Sequence, residues 1–187
     1  MEIKPLTGKG MVIWLNGCFG VGKSETAKIL NRRISPSHIY DPEQVGYFLW
    51  DNFPPEMQRR GDFQDIPIWR SLNYEIIRYL YCSFDGCIIV PMTLADKRYF
   101  AEIIGKLMQD GVRLKHFILT ADRAVIAERL LQRGEQRNSW AEQQMDRCLK
   151  AFETDIPGIK METTFCCAEN TASAILKLIR SGGQEPQ

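Results

Sequence analysis

The chain has 187 residues, 24 Lys and Arg against 23 Asp and Glu, a net charge of +1 and 44% hydrophobic residues. That length suits one domain with a real core, and the near-neutral balance excludes a general nucleic-acid binder, which needs a basic excess to displace phosphate counterions. No apolar run approaches the roughly 18 residues of a membrane span, and the N-terminal "MEIKPLTGKG" lacks the apolar centre of a secretory signal, so a cytoplasmic protein is expected.

Residues 11–16, "MVIWLN", are a short apolar run and predict a buried strand. "GCFGVGKS" follows at residues 17–24, with the G-x-x-x-x-G-K-S spacing of a phosphate-binding loop. Gly17, Gly20 and Gly22 let such a loop curl with its amides inward, and the helix predicted over residues 23–34 turns its dipole toward an anion. Lys23 is expected to reach the β- and γ-phosphates, and the Ser24 hydroxyl to bind Mg²⁺. Cys18, Phe19, Val21 and Glu25 complete the stretch expected around the nucleotide. The Asn-Lys-x-Asp guanine signature is missing, and the loop after the fourth strand reads "TADR", so ATP is the expected cofactor.

"HIYD" predicts a second strand ending at Asp41, which then points at the crevice where open α/β sheets bind ligands. A carboxylate there can take a proton from a substrate hydroxyl or hold Mg²⁺ through water, while the "D-P-E" context equally suits a helix cap. "PEQVGYFLW" opens a helix with Pro42 at its first position, and Glu43 reads as a surface residue complementing the dipole. Residues 52–70 form an irregular insert. Within it, Trp69 beside Arg70 suits a planar or anionic substrate; the alternative is a core tryptophan under a solvated loop.

Leu72, Ile76, Ile77 and Leu80 mark the next helix, and "CIIVPM" a third buried strand. That strand runs into Thr93 with no Asp or Glu, which leaves magnesium to Ser24 or Asp41 and makes strong ATPase activity less expected. Phe100, Ile103, Ile104, Leu107 and Met108 predict a helix stopped by Gly111; "VRLKHFILT" is a fourth strand, and Val125, Ile126 and Leu130 lie on the helix after it. Arg129, Arg133 and Arg137 recur every four residues and share a face if that helix persists. Leading into "GEQRN", they suggest a lid at about residues 133–140, with Arg129 on the nucleotide and Arg133 and Arg137 neutralising charge during transfer. The alternative is a solvated face partnered by Glu128 and Glu135. "SWAE" is a capping box of Ser139 and Glu142 for a helix carrying Met145, Cys148, Leu149 and Phe152. "IKMETTFCC" suggests a fifth strand, "ASAILKLI" a last helix, and residues 181–187 a disordered tail. The six cysteines form no C-x-x-C pair and the two histidines no ligand cluster, so the cysteines read as reduced packing residues. Strands alternating with helices imply an α/β fold whose mostly parallel sheet is covered on both faces.

"VIWLNGCFGVGKSETA", "YDPEQVG", "DFQDIPIWRSLNY", "IIVPMTL" and "NSWAEQQMDRC" together resemble the bacterial tunicamycin-resistance proteins, from residue 11 to 152 and more vaguely to 180. The resemblance implies a three-layer P-loop NTPase fold like that of nucleoside-monophosphate kinases, a five-stranded parallel sheet of order 2-3-1-4-5, a short lid, and one domain over residues 1–180. It places the nucleotide on residues 17–24 and the "NSW…DRC" stretch on the lid-side helix. Tunicamycin is a uridine-containing antibiotic, so a nucleoside-like small molecule or antibiotic is the implied partner. The expected function is transfer of the γ-phosphate of ATP to that molecule; the alternative is its ATP-dependent sequestration without chemistry. Neither a nucleic-acid partner nor a transmembrane segment is expected.

Overall fold

The computed structural model describes residues 10–57 and 62–181. Most of the tail expected to be disordered, and part of the expected insert, lie outside the described residues.

Five parallel strands form one sheet: β1 (Met11–Gly17), β2 (Ser37–Ile39), β3 (Cys87–Pro91), β4 (Leu114–Thr120) and β5 (Ile159–Glu162). Their order is β2-β3-β1-β4-β5, as the resemblance implied. β1 occupies the centre because both of its faces are apolar. Successive side chains of a strand alternate between faces. Ile13 and Leu15 join one core and Val12 and Trp14 the other, all fully buried.

The first core is covered by α1 (Lys23–Arg33), α6 (Arg123–Gln132), α8 (Met145–Thr154) and α9 (Ala168–Arg180), through Leu30, Ile126, Phe152 and Ile175 among others. The second is covered by α2 (Glu43–Asn52) and α3 (Pro67–Ser83), and by a rod made of α4 (Lys97–Phe100), a π segment (Ala101–Gly105) and α5 (Lys106–Gln109). Here Trp69, Ile77, Ile103 and Leu107 meet Ile88 and Val90. Helix α7 (Trp140–Gln143) is a single turn before α8, capped by Ser139, whose hydroxyl accepts from the Glu142 amide at 3.4 Å. The Glu142 carboxylate returns to the Asn138 amide at 2.7 Å, one residue earlier than the standard capping box. Among the described residues, no helix is long and apolar enough to cross a membrane.

The parallel arrangement brings the carboxyl ends of all five strands to one edge. Residues 17–24, Asp41, Thr93, Thr120 and Thr163 lie on or just beyond that edge, where open α/β sheets bind ligands.

Candidate functional site

The site begins with Asn16, a fully buried amide just before the phosphate loop. Its Oδ1 accepts from the amides of Gly17 at 2.9 Å and Leu94 at 2.8 Å. Its Nδ2 donates to the Leu94 carbonyl at 3.0 Å and lies 3.1 Å from His116 Nε2. The ring accepts this bond, because its Nδ1 lies 2.7 Å from the Pro157 carbonyl and must be the donor there. Burial pushes the His116 pKa down to about 4, so the ring is neutral, as this pattern requires. One side chain thus ties the end of β1 to the segment after β3 and to β4. The Thr93 hydroxyl adds a bond to the Gly17 carbonyl at 2.8 Å.

From this brace the loop turns sharply. Gly17, Gly20 and Gly22 all take positive φ. At Gly17 the backbone also runs so near β4 that a Cβ would sit 2.4 Å from the Leu119 carbonyl oxygen, leaving room for glycine alone. Lys23 folds back over the loop, and its Nζ donates to the carbonyls of Gly17 and Cys18, each at 2.9 Å. Burial lowers its pKa to about 8, opposed by the neighbouring Glu43 carboxylate. A nucleotide polyphosphate favours the charged ammonium. ATP affinity is therefore expected to be full below pH 8 and to fall about tenfold per unit above it. Calorimetry from pH 7 to about 9.5, in buffers of different ionisation enthalpy, should show proton uptake on binding at the alkaline end. A flat profile would remove Lys23 from the phosphate contacts.

A cavity of about 550 Å³ opens over the loop. Phe19, Gly20, Lys23, Ser24, Glu43 and Arg133 are among the residues that line it. Ser24 is exposed on this wall, and its hydroxyl bonds no other described residue. Glu25, also on the wall, is exposed and paired to Lys28 at 2.7 Å. Glu43 contradicts its reading as a surface residue: it is half-buried and faces the loop. Burial first, then the neighbouring Asp41, raises its pKa above the usual carboxylate range, while Lys23 and Arg133 pull the other way. Asp41 is a cap. Its Oδ1 accepts from the Glu43 amide at 3.0 Å and its Oδ2 from Gln44 Nε2 at 3.1 Å.

The three arginines do not share a helix face, because α6 stops at Gln132 and Gly134 turns away with φ 89°. Arg129 and Arg133 still line the cavity. The Arg129 guanidinium donates to the Thr163 carbonyl at 2.8 Å. The Thr163 hydroxyl meets the Thr120 carbonyl at 2.9 Å, which joins the base of this arginine to the sheet edge. Arg137 is exposed in the turn of residues 133–139, outside the main cavity. On the lid side, Trp140 packs edge-on against Phe19 of the phosphate loop, with ring centroids 5.1 Å apart.

Trp69 and Arg70 correct the substrate-contact expectation. Trp69 is fully buried: its Nε1 donates to the Pro42 carbonyl at 3.1 Å and its ring packs 5.3 Å from that of Phe63. It supports the start of α2 from below. Arg70 is also buried, with Nε on Glu102 and Nη1 on the Gln64 carbonyl, both at 2.5 Å, and its guanidinium 4.3 Å from the centre of the Tyr99 ring. It locks α3 to the π segment. Among the cysteines, Cys18, Cys87 and Cys148 pack in the core, whereas Cys166 and Cys167 are exposed at the cavity wall.

The sequence profile of the AAA domain matches residues 12–154, three quarters of the chain. The chain belongs to the AAA domain family. No curated protein matches this AAA domain by sequence. Among solved structures, the tunicamycin resistance protein of Deinococcus radiodurans is 28% identical, with a TM-score of 0.77 over 95% of this chain and 99% of that one. That likeness agrees with the resemblance seen in the sequence. The Mycobacterium tuberculosis APS kinase, solved with AMPPNP and APS, is 15% identical with a TM-score of 0.62, covering 92% of this chain and 99% of that one. A gluconokinase from Sinorhizobium meliloti is 15% identical with a TM-score of 0.61, covering 93% and 98%. These kinases share the fold. The AAA domain described here thus has a kinase-like P-loop fold.

Proposed function

We propose that this AAA domain is a cytoplasmic phosphotransferase that moves the γ-phosphate of ATP to a hydroxyl of a nucleoside-like small molecule, tunicamycin or a compound resembling it. The observation that carries this reading is the convergence of Lys23, Ser24, Glu43, Arg129 and Arg133 on one cavity at the carboxyl edge of the sheet. Phosphoryl transfer asks mainly for positioning and charge neutralisation. Loop amides and Lys23 would hold the phosphates, and Arg129 and Arg133 would offset charge from the far side. Arg137 would join them only if the turn of residues 133–139 closes.

Magnesium fits the site. The exposed Ser24 hydroxyl is a hard oxygen donor beside the phosphate loop, and Mg²⁺ accepts one such ligand alongside phosphate oxygens and water. When bound, the ion supplies further neutralisation of phosphate charge. The acceptor class rests on the likeness to the tunicamycin resistance protein.

The test is mass spectrometry of tunicamycin incubated with ATP, Mg²⁺ and a substoichiometric amount of protein. Phosphorylated product in excess over protein supports a kinase. A second reading, ATP-dependent sequestration, is favoured by the end of β3, where Thr93 stands in place of a carboxylate and its hydroxyl is tied to Gly17. Unmodified tunicamycin retained only with ATP would select that reading. For the kinase, Arg133→Ala is expected to lower turnover by about 100-fold or more while ATP affinity changes less than about threefold. Steady-state kinetics and calorimetry on the same variant separate the two, and an unchanged rate would return Arg133 to the solvated surface.

A further inference from the structure

We propose that Glu43 takes the proton from the acceptor hydroxyl, and that Asp41 is the residue that positions it. The inference rests on the phosphotransferase reading and names the base within it.

Three observations separate the two carboxylates. Glu43 lines the cavity with Lys23 and Ser24, and Asp41 does not. Both Asp41 oxygens are engaged locally, on the Glu43 amide and the Gln44 side chain, and so hold the first turn of α2 in place. Glu43 pairs with no cation among the described residues, although its charge interacts with Lys23 and Arg133 across the phosphate site.

Elimination points the same way. The wall carries two carboxylates, and Glu25 is held by Lys28 on the exposed side. β3 ends without one. Glu43 is therefore the acid left facing the reacting end of the nucleotide. Its half-buried setting makes it a stronger base than a solvated carboxylate, which suits proton abstraction near neutrality.

The step balances without further reactants. The acceptor oxygen bonds to the γ-phosphorus as its proton passes to a Glu43 oxygen. The bond from the γ-phosphorus to the bridging oxygen breaks, and its electron pair leaves on ADP. Glu43 then returns its proton to solvent.

The experiment compares Glu43→Gln, Glu43→Asp and Asp41→Asn with the wild-type protein. AMPPNP affinity is measured by calorimetry with Mg²⁺, and turnover of ATP with tunicamycin and with water as the two acceptor probes. Glu43→Gln is expected to bind AMPPNP as tightly as wild type or slightly tighter, since a negative charge facing the triphosphate is gone. Its turnover should fall by about 100-fold or more. Glu43→Asp should recover part of that rate. Asp41→Asn should lose less, because an amide oxygen can still accept from the Glu43 backbone. Three results would overturn the assignment: Glu43→Gln turning over within about threefold of wild type, Glu43→Gln losing nucleotide affinity together with rate, or Asp41→Asn losing as much rate as Glu43→Gln. Wild-type protein that binds AMPPNP but turns over with neither probe would instead overturn the phosphotransferase reading, and the base with it.

Discussion

Lys23→Ala is expected to weaken ATP binding by about 100-fold or more, equivalent to about 2.7 kcal/mol. The ammonium is the one side-chain cation of residues 17–24. It is half-buried, and charge-assisted bonds are about twice as strong as neutral ones. The same substitution removes the two bonds to the Gly17 and Cys18 carbonyls, so the loop should loosen as well. Calorimetric titration with ATP and Mg²⁺, alongside a melting curve to confirm folding, measures the effect. Affinity within about fivefold of wild type would sink the assignment of residues 17–24 as the phosphate site. Lys23→Arg is not a conservative control, because a planar guanidinium does not fit a position shaped for a compact ammonium.

The second large effect is on stability. Asn16→Ala is expected to cost roughly 3 kcal/mol or more. It leaves the Gly17 amide, the Leu94 amide and carbonyl, and His116 Nε2 without their partner in a site closed to water. Asn16→Asp should fare little better. It keeps an acceptor for the two amides but loses both donated bonds and buries a charge. Urea denaturation gives the answer as a midpoint shift at constant slope. A loss below about 1 kcal/mol would mean that the brace at the base of the loop is dispensable.

These residues show where reading the chain succeeds. The phosphate loop is a local motif whose glycines, lysine and flanking elements are contiguous, so spacing alone predicts its shape. The strands were visible because a centrally buried parallel strand must be apolar throughout. The sheet order came from family resemblance, since which strands pair is a long-range matter. The site beyond the loop was harder. Asp41 and Glu43 are two residues apart at the start of one helix, and only the packing of α2 decides which of them caps and which faces inward. Trp69 beside Arg70 looked like a ligand platform. Neither side chain is free, because the tryptophan lies under Pro42 and the arginine is drawn to Glu102, 32 positions away. The arginine periodicity was real but interrupted, because Gly134 ends the helix before the third arginine. The π segment in the rod after β3 left no trace in the apolar pattern, which reads as one ordinary helix.

The folded-back pose of Lys23 has a consequence for discrimination among anions. Lys23 does not stand as a bare positive charge; its ammonium is closed upon the Gly17 and Cys18 carbonyls. An entering anion must outbid those two bonds before it gains anything. A single weakly held phosphate or sulfate offers little for that exchange, whereas a chain of adjoining phosphates reaches the loop amides and the ammonium together. The loop thus behaves as a threshold, with its selectivity for polyphosphates set partly by the bonds its lysine makes to the loop carbonyls.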